Sequence, residues 1–316
     1  MSYRVREIAL AVTIAALMLL LAWRTTGFFT ATNLVDLFLA NLPTMMIAIG
    51  MTMVILTGEI DISVGSIFAI CSVVMGECAR AGMPMVVSVL IAGVAGASMG
   101  AANGGLTAYI RIPSIVATLA TMVALRDGLR WYTQGAWIQG LPQQFQWFGL
   151  SQSSFTELCL AVVTVTVLLG AAGLKHLRIG REIIATGSNK AAAHIAGIHT
   201  SRVVFGVFAL TGVLTGLAAA LNAVRFNQVP SNSGLGLELK VIAAVAVGGA
   251  AITGGAATIT GTVLGVILLS GIGSALTFLG INAYWEKAIQ GAIILIAVAV
   301  DALQFYRRDD AHTLAA

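Results

Sequence analysis

The chain has 316 residues, of which 58% are apolar and only 9% are Asp, Glu, Lys or Arg. Its mean hydropathy is +0.95, and its formal net charge at pH 7 is +4. Because a soluble domain carries about 25% charged residues, this chain has too few charges to cover a water-facing surface. The composition therefore excludes a soluble globular protein and indicates a helical protein of the membrane.

Apolar segments of helical length follow one another along the chain, and a bilayer core takes about 20 helical residues. They predict an all-α polytopic membrane protein with about ten transmembrane helices, in a single transmembrane domain over 1–316. The first segment follows MSYRVRE without a cleavage site of the A-x-A kind, so we expect it to stay as a helix. The predicted segments are 8–23, 33–57, 62–79, 84–109, 113–130, 156–174, 203–224, 238–253, 257–279 and 285–303.

Glycine spacing predicts how some of these helices pack. Gly96, Gly100 and Gly104 lie four residues apart, and Gly261 and Gly265 repeat the spacing. Small residues on one stripe let membrane helices approach closely, so we expect helix contacts at both places. Residues 241–285 contain no Asp, Glu, Lys, Arg or His and are too many for one crossing, so the chain has to turn at ITGGAATITG.

Basic residues predict which side of the membrane each loop occupies. With ten crossings, both termini lie on one side together with the basic loop 175–202. That side would hold ten of the 17 Lys and Arg residues, and the opposite side the remaining seven. Because loops rich in Lys and Arg stay in the cytoplasm, we predict that both termini and the loop 175–202 are cytoplasmic.

The segment ILTGEIDISVGSI, residues 55–67, places Glu59 and Asp61 between the second and third predicted helices. Gly58 is expected to end one helix, and Asp61 to accept backbone N–H bonds at the start of the next. Two interpretations stay open. The segment is a well-capped turn, or one of its carboxylates contacts a partner or gates a pathway.

Charged residues lie almost entirely at the predicted helix ends, whereas ion-coupled carriers usually place them near the bilayer centre. The chain also has no phosphate-binding motif of the form GxxxxGK[ST]. We therefore expect no cofactor, no metal site and no enzymatic activity, with any ATP hydrolysed by a separate subunit. A secondary carrier of a neutral solute is the alternative. Polarity within the spans comes from uncharged groups such as Thr52, Asn103, Asn222, Ser270 and Gln290. The pathway candidates are Thr52, Asn103 and the pair Gly248–Gly249.

The segment SNKAAAHIAGI in the loop 175–202 predicts a short helix that is too polar to span the membrane. Ser188 or Asn189 can cap this helix, and Gly197 can stop it. A short helix held between two crossings suits the docking of a partner, and a solvated connector is the alternative. The docking candidates are Ser188, Asn189, Lys190, Ala192, Ala193 and Gly197.

Four segments resemble the membrane permease subunit of bacterial ABC importers for monosaccharides, the ribose, xylose, rhamnose and autoinducer-2 group. They are GMTMVILTGEIDISVGSI (50–67), GAANGGLTAYIRIPSIVATLATM (100–122), GREIIATGSNKAAAHIAGI (180–198) and AVGGAAITGGAATITGTVLG (246–265). The resemblance covers nearly the whole chain. It implies the ABC importer permease fold and the transport of a monosaccharide, or a similar polyol or sugar-like solute, across the bacterial inner membrane.

The resemblance also implies partners and site residues. The partners are an ABC ATPase subunit, a second permease subunit in a homo- or heterodimer, a periplasmic solute-binding protein and membrane lipid, with no nucleic acid. The segment 180–198 resembles the family's coupling helix, with Ala191 where related importers carry Glu. Glu59 replaces a Gly in the family's turn motif, whose other residues here are Gly58, Asp61, Ser63 and Gly65.

The predicted external loop 126–152 is rich in Trp, Gln and Gly. Its aromatic residues Trp131, Trp137 and Trp147 suit an interfacial belt. Docking of the solute-binding protein and direct contact with sugar are the two other interpretations.

Overall fold

The computed structural model describes residues 3–25, 27–282, 284–296 and 299. Its regular structure is helical, and one isolated antiparallel bridge pairs Ile138 with Val229. A 3-10 helix covers Gln143–Gly149, and a further helix, α12, covers residues 284–296. The other helices are α1 Tyr3–Arg24, α2 Ala31–Leu56, α3 Val64–Arg80, α4 Met85–Ala108, α5 Ser114–Thr133, α6 Gln152–His176, α7 Arg178–Ser188, α8 Lys190–Ile195, α9 Thr200–Ala223, α10 Leu237–Val247 and α11 Ile259–Phe278.

Six helices of the described chain are long and apolar enough to cross a membrane, namely α1, α2, α4, α6, α9 and α11. The prediction of a polytopic helical membrane protein is confirmed at this level. Every predicted segment overlaps a helix, but the count of about ten crossings stays a prediction. The last predicted segment, 285–303, and the predicted cytoplasmic C-terminus extend beyond the described residues.

The helix α4 packs against α9 through glycine, as the spacing predicted. A Cβ at Gly96 would collide with the Gly212 carbonyl oxygen, and a Cβ at Gly100 with the Phe208 carbonyl oxygen. Gly261 meets the backbone of Gly248 in the same way. Lipid is as apolar as the helix surfaces, so the hydrophobic effect does not drive membrane helices together. Close backbone contact of this kind stabilises their association by van der Waals attraction instead.

Contacts between distant segments gather several loops at one end of the molecule. Arg6 Nη1 donates to the Gly249 carbonyl oxygen at 3.4 Å, and Thr258 Oγ1 donates to Glu7 Oε1 at 2.7 Å. The Gly255 amide donates to the Leu56 carbonyl oxygen at 2.9 Å. The start of α1, the turn after α2 and the turn before α11 therefore lie together, and we call this the α1 end. The Ile138–Val229 bridge belongs to the opposite end.

The helix α10 is much shorter than the predicted segment 238–253. It ends at Val247, because Gly248 and Gly249 leave the helix and Gly249 adopts a φ of 90°. Its 11 residues rise about 16 Å, roughly half of a bilayer core. The segment 224–236 before it runs inward from the opposite end, since a Cβ at Gly65 would lie 2.6 Å from the Gly234 carbonyl oxygen. The prediction of a full helix over 238–253 is therefore wrong.

Candidate functional site

The turn 57–63 carries the family-motif residues, and Asp61 lies completely buried within it. Gly58 ends α2 with a φ of 81°, a conformation that glycine adopts without a steric penalty. Asp61 Oδ1 accepts hydrogen bonds from the Ser63 amide at 2.9 Å and from Ser63 Oγ at 2.6 Å. Ser63 is the N-cap residue of α3, so the expectation that Asp61 accepts a backbone N–H at this helix start is confirmed.

A second polar side chain completes this buried cluster. Asn103 of α4 donates from Nδ2 to Ser63 Oγ at 2.7 Å. Asp61 Oδ2 and Asn103 Oδ1 are buried without a hydrogen-bond partner. Burial raises the pKa of Asp61 to about 6, and the hydrogen bonds from Ser63 offset part of this rise. A carboxylate that is half satisfied and remote from water is costly to keep ionised.

The same turn is fastened to several helices. The Ile60 amide donates to Ser114 Oγ and the Ile62 amide to Thr118 Oγ1, each at 3.2 Å, which joins the turn to α5. Gly65, just beyond it, leaves room for Glu238 and Gly234, which a Cβ would displace. A displacement of the turn would therefore move α3, α5 and the start of α10 together.

The short helix predicted for 188–198 is present as α8, Lys190–Ile195, and it directly follows α7. Ser188 ends α7, and its Oγ donates to the Ile184 carbonyl oxygen at 2.8 Å. Asn189 caps α8 by accepting a hydrogen bond from the Ala192 amide at 2.9 Å. The sequence left Ser188 and Asn189 open as caps, and the structure selects Asn189, because its extended backbone breaks the helix between them.

The short helix α8 is exposed on most of its surface. Ala193 is its buried residue, whereas Lys190 and Ala192 are exposed. Gly197 has a φ of 83° and nothing within 4 Å of where its Cβ would be, so it reverses the chain in open space. Sequence reasoning missed Ile195, an apolar side chain that is 87% exposed. Its signal is an isoleucine inside an otherwise small and polar loop helix.

One ion pair ties α8 to the buried turn. Lys190 Nζ lies 3.4 Å from Glu59 Oε1, and the Lys190 side chain is 54% exposed. A Cβ at Gly187 of α7 would collide with the Leu56 carbonyl oxygen, so α7 also rests on the end of α2. These contacts put α7, α8 and the turn 57–63 at the α1 end of the molecule.

The pathway candidates lie in the packed interior. Thr52 Oγ1 is buried 2.7 Å from Thr262 Oγ1 and donates to the Ala48 carbonyl oxygen. Asn103 belongs to the Asp61 cluster, and Gly248 packs on Gly261. None of these three residues, nor Gly249, lines the cavity at the start of α10. Their place in a pathway stays a prediction.

That cavity has a volume of about 470 Å³ and is lined by polar and apolar residues. It lies between α2, α9, the start of α10 and α12. Lys240 Nζ is 3.3 Å from Glu286 Oε1, and Gln290 Nε2 donates to the same oxygen at 3.1 Å. The lining residues are Ala40, Pro43, Thr44, Phe68, Asn222, Gly234, Leu235, Gly236, Leu237, Lys240, Tyr284, Glu286, Lys287 and Gln290.

The tryptophans of the loop 126–152 differ in their surroundings. The Trp147 ring packs on Phe155 with centroids 4.9 Å apart, and its amide donates to the Val224 carbonyl oxygen. Trp147 is therefore part of the protein packing. Trp131 is 78% exposed and Trp137 45% exposed, which leaves these two rings for an interfacial belt or a partner.

A bundle of apolar helices with an open, partly polar cavity and a short exposed helix at one end suits a membrane transport subunit. Residues 33–298 match a family described as the permease component of the branched-chain amino acid transport system. The chain belongs to this permease family. The resemblance to importer permeases seen in the sequence is thereby confirmed.

Curated relatives cover nearly all of the chain. The ribose import permease protein RbsC of Escherichia coli K12 is 33% identical over 293 residues, which is 90% of this chain and 91% of the relative. The autoinducer 2 import system permease protein LsrC of Yersinia enterocolitica serotype O:8 is 35% identical over 302 residues, 94% of this chain and 82% of the relative. The LsrC protein of Photorhabdus laumondii is 32% identical over 302 residues, 94% of this chain and 89% of the relative. No solved structure matches the chain.

Proposed function

We propose that the chain is the membrane subunit of an ABC importer that moves a monosaccharide, or a related sugar-like solute, across the bacterial inner membrane. The observation that carries this proposal is the identity of 33% and 35%, over at least 90% of the chain, to permeases named for ribose and autoinducer-2 import. Two such subunits, as a homo- or heterodimer, work with a periplasmic solute-binding protein and a separate ATPase subunit.

The ATPase subunit docks on α8. This helix is exposed, is capped by Asn189 and is followed by the left-handed Gly197, so its direction is fixed by the chain itself. The ion pair between Lys190 and Glu59 joins it to the turn 57–63. Movement of a docked ATPase therefore reaches the helices that the turn holds, which is the mechanical link that a permease without a nucleotide site needs.

Sidedness follows from the same docking. The cytoplasmic face carries α8, the start of α1 and the turn 57–63, which lie together at the α1 end of the molecule. The loop 126–152 and the bridge between Ile138 and Val229 then face the periplasm, where the solute-binding protein delivers its cargo. Ten crossings place both termini in the cytoplasm.

Gly197 is the residue that tests the docking. A valine there meets no neighbour, yet a β-branched residue pays about 1–2 kcal/mol for the left-handed conformation. We expect Gly197→Val to insert normally but to lower ATPase association and uptake together, by roughly tenfold. Both are measured with the purified ATPase subunit and permease-containing vesicles.

Gly197→Asn is the matched control, because asparagine has nearly the volume of valine and tolerates the left-handed region. We expect it to retain association and uptake. If Gly197→Val assembles and transports at the parental rate, α8 is only a connector. Solute uptake by the parental permease alone, without any ATPase, would instead support a secondary carrier.

A further inference from the structure

We propose that the cavity at the start of α10 holds the solute during transit, by hydrogen bonds to one neutral, polyhydroxylated ring. This inference rests on the proposed function and assigns the solute a place among this chain's own residues. The cavity has about 470 Å³, within the roughly 300–1,000 Å³ typical of small-molecule sites. It is lined by residues of α2, α3, α9, α10 and α12 and by residues 234–236, which directly precede α10.

The geometry of α10 is that of a helix interrupted inside the membrane. It covers about half of the bilayer, and the segment 224–236 reaches its first turn from the opposite end. Irregular backbone is tolerated at membrane depth where it lines a cavity, and half-helix starts of this kind hold solutes in other transporters. Gly234 and Gly236 both line the cavity, with φ values of 70° and 83°.

The charges around the cavity favour a neutral solute over an anion. Glu238 lies in the first turn of α10, so an acidic side chain already occupies the helix end that would otherwise attract an anion. Lys240 is paired with Glu286 at 3.3 Å. Lys287 also lines the cavity; it is exposed and lies within electrostatic reach of Glu238. Within the cavity itself, each charge of the Lys240–Glu286 pair is compensated.

The polar lining supplies hydrogen-bond groups of several kinds. Thr44 offers a hydroxyl and Asn222 an amide, while Gln290 is buried and holds Glu286 through its Nε2. Hydroxyl groups of a sugar donate and accept at once, so amide and carboxylate groups side by side match them. Phe68 is buried and Tyr284 exposed, which gives an apolar inner wall and an aromatic ring near the opening.

The hydrogen bonds already present in this cavity make its binding of a solute weak. Glu286 already accepts from Lys240 and Gln290, so a solute exchanges existing hydrogen bonds for new ones and gains little from each. A site that receives its solute from a binding protein and has to release it into the cytoplasm benefits from such weak binding. We expect no affinity in the micromolar range or better for the permease alone.

Thr44→Val and Asn222→Ala test the site in the complete importer, reconstituted with its ATPase and binding protein. The probes are ribose, other pentoses and hexoses, and deoxy analogues that lack one hydroxyl. Each variant should lower the maximal uptake rate of a transported sugar roughly three- to tenfold and lower that of one deoxy analogue less. Valine copies the shape of threonine, so Thr44→Val is expected to fold even if Asn222→Ala does not.

Thr166→Val on α6 is the control, since Thr166 Oγ1 donates to the Val162 carbonyl oxygen of its own helix and lies away from the cavity. It should leave every rate unchanged. Equal losses for all sugars, or no loss in either cavity variant, would overturn the solute site while the parental importer still transports sugar with ATP. A parental importer that moves no sugar with ATP would overturn the proposed function instead.

Discussion

At the scale of single residues, the buried Asp61 has the most testable chemistry. One of its oxygens is bonded twice to Ser63, while the other has no partner. Its pKa lies near 6 in the fold against 3.8 in an exposed position. The proton is therefore bound more tightly by the folded protein, and the stability that this gives is complete below about pH 4. It is lost as the pH rises through about 6.

Replacing Asp61 by asparagine removes this titration and keeps an oxygen for both Ser63 hydrogen bonds. The difference between a pKa of 3.8 and one of about 6 corresponds to roughly 3 kcal/mol of folding free energy, which is lost between about pH 4 and pH 6. We expect the unfolding midpoint of the parental protein in detergent to fall more between pH 4 and pH 7.5 than that of Asp61→Asn, followed by tryptophan fluorescence. Asp127→Asn, at a carboxylate whose side chain is 62% exposed, is the control. Equal pH dependence in parental protein and Asp61→Asn would contradict the buried titration.

The sequence predicted the local chemistry of this turn but not its long-range partners. A glycine at a helix end and an aspartate before the next helix have preferences that depend on a few neighbouring residues, so Gly58 and Asp61 could be read directly. The hydrogen bond from Asn103 to Ser63 joins residues 40 apart, and the pair Lys190–Glu59 joins residues 131 apart. Such pairs depend on how helices pack, which no local pattern contains.

At the scale of elements, the glycine stripe of α4 shows how little space separates two membrane helices. The atoms that a Cβ at Gly100 would meet are the Phe208 carbonyl oxygen and, at 3.1 Å, the Gly212 Cα. Both belong to the backbone of α9, which cannot move aside as a flexible side chain would. The i and i+4 spacing therefore predicted a close contact, although it could not name α9 as the partner.

Gly100→Ala should separate α4 from α9 and destabilise the permease by roughly 1–3 kcal/mol. Gly105→Ala is the matched control on the same helix, because nothing lies within 4 Å of where its Cβ would be. We expect that variant to be neutral or slightly more stable, since alanine favours a helix over glycine. The unfolding midpoints of the two variants in detergent decide the point, and equal midpoints would show that α9 does not pack as described.

The sequence could not predict the length of α10. The residues after Val247 are uncharged, as are those of 241–247, so no charged residue marks where the helix stops. Only the left-handed conformation of Gly249 and the packing of Gly248 on Gly261 end it. The sequence indicated Gly248–Gly249 only as pathway candidates, and the half-length of the helix depends on the segment 224–236 folding inward.

At the scale of the whole molecule, a continuous set of contacts joins α8 to the cavity. Lys190 of α8 pairs with Glu59 in the turn 57–63, and the first turn of α3 follows that turn directly. There Gly65 lies against Gly234, which lines the cavity. Under the proposed function, we expect a shift of α8 on ATPase closure to change the shape of the cavity through the Lys190–Glu59 pair and the backbone contact of Gly65 with Gly234.

Two arrangements of the chain in the membrane, with six or with ten crossings, remain to be distinguished. If only the six long apolar helices cross, then α3 and α5 do not, and Gly82 shares the side of the turn 57–63. Ten crossings put Gly82 on the opposite side and bring Arg111 back to the side of that turn. The contact of Gly254 with Gly58 favours ten, because with six crossings the turn between α10 and α11 would lie on the other side of the membrane.

Reporter fusions at Gly82 and Arg111 therefore decide between the two arrangements, with fusions at Gly140 and Lys190 as the reference. We expect Gly140 to report the periplasm and Lys190 the cytoplasm in both cases. For ten crossings, Gly82 reports the periplasm and Arg111 the cytoplasm, because α3 and α5 each carry the chain across once. Reversed results at Gly82 and Arg111 would leave six crossings, and the same side for Gly140 and Lys190 would contradict both arrangements.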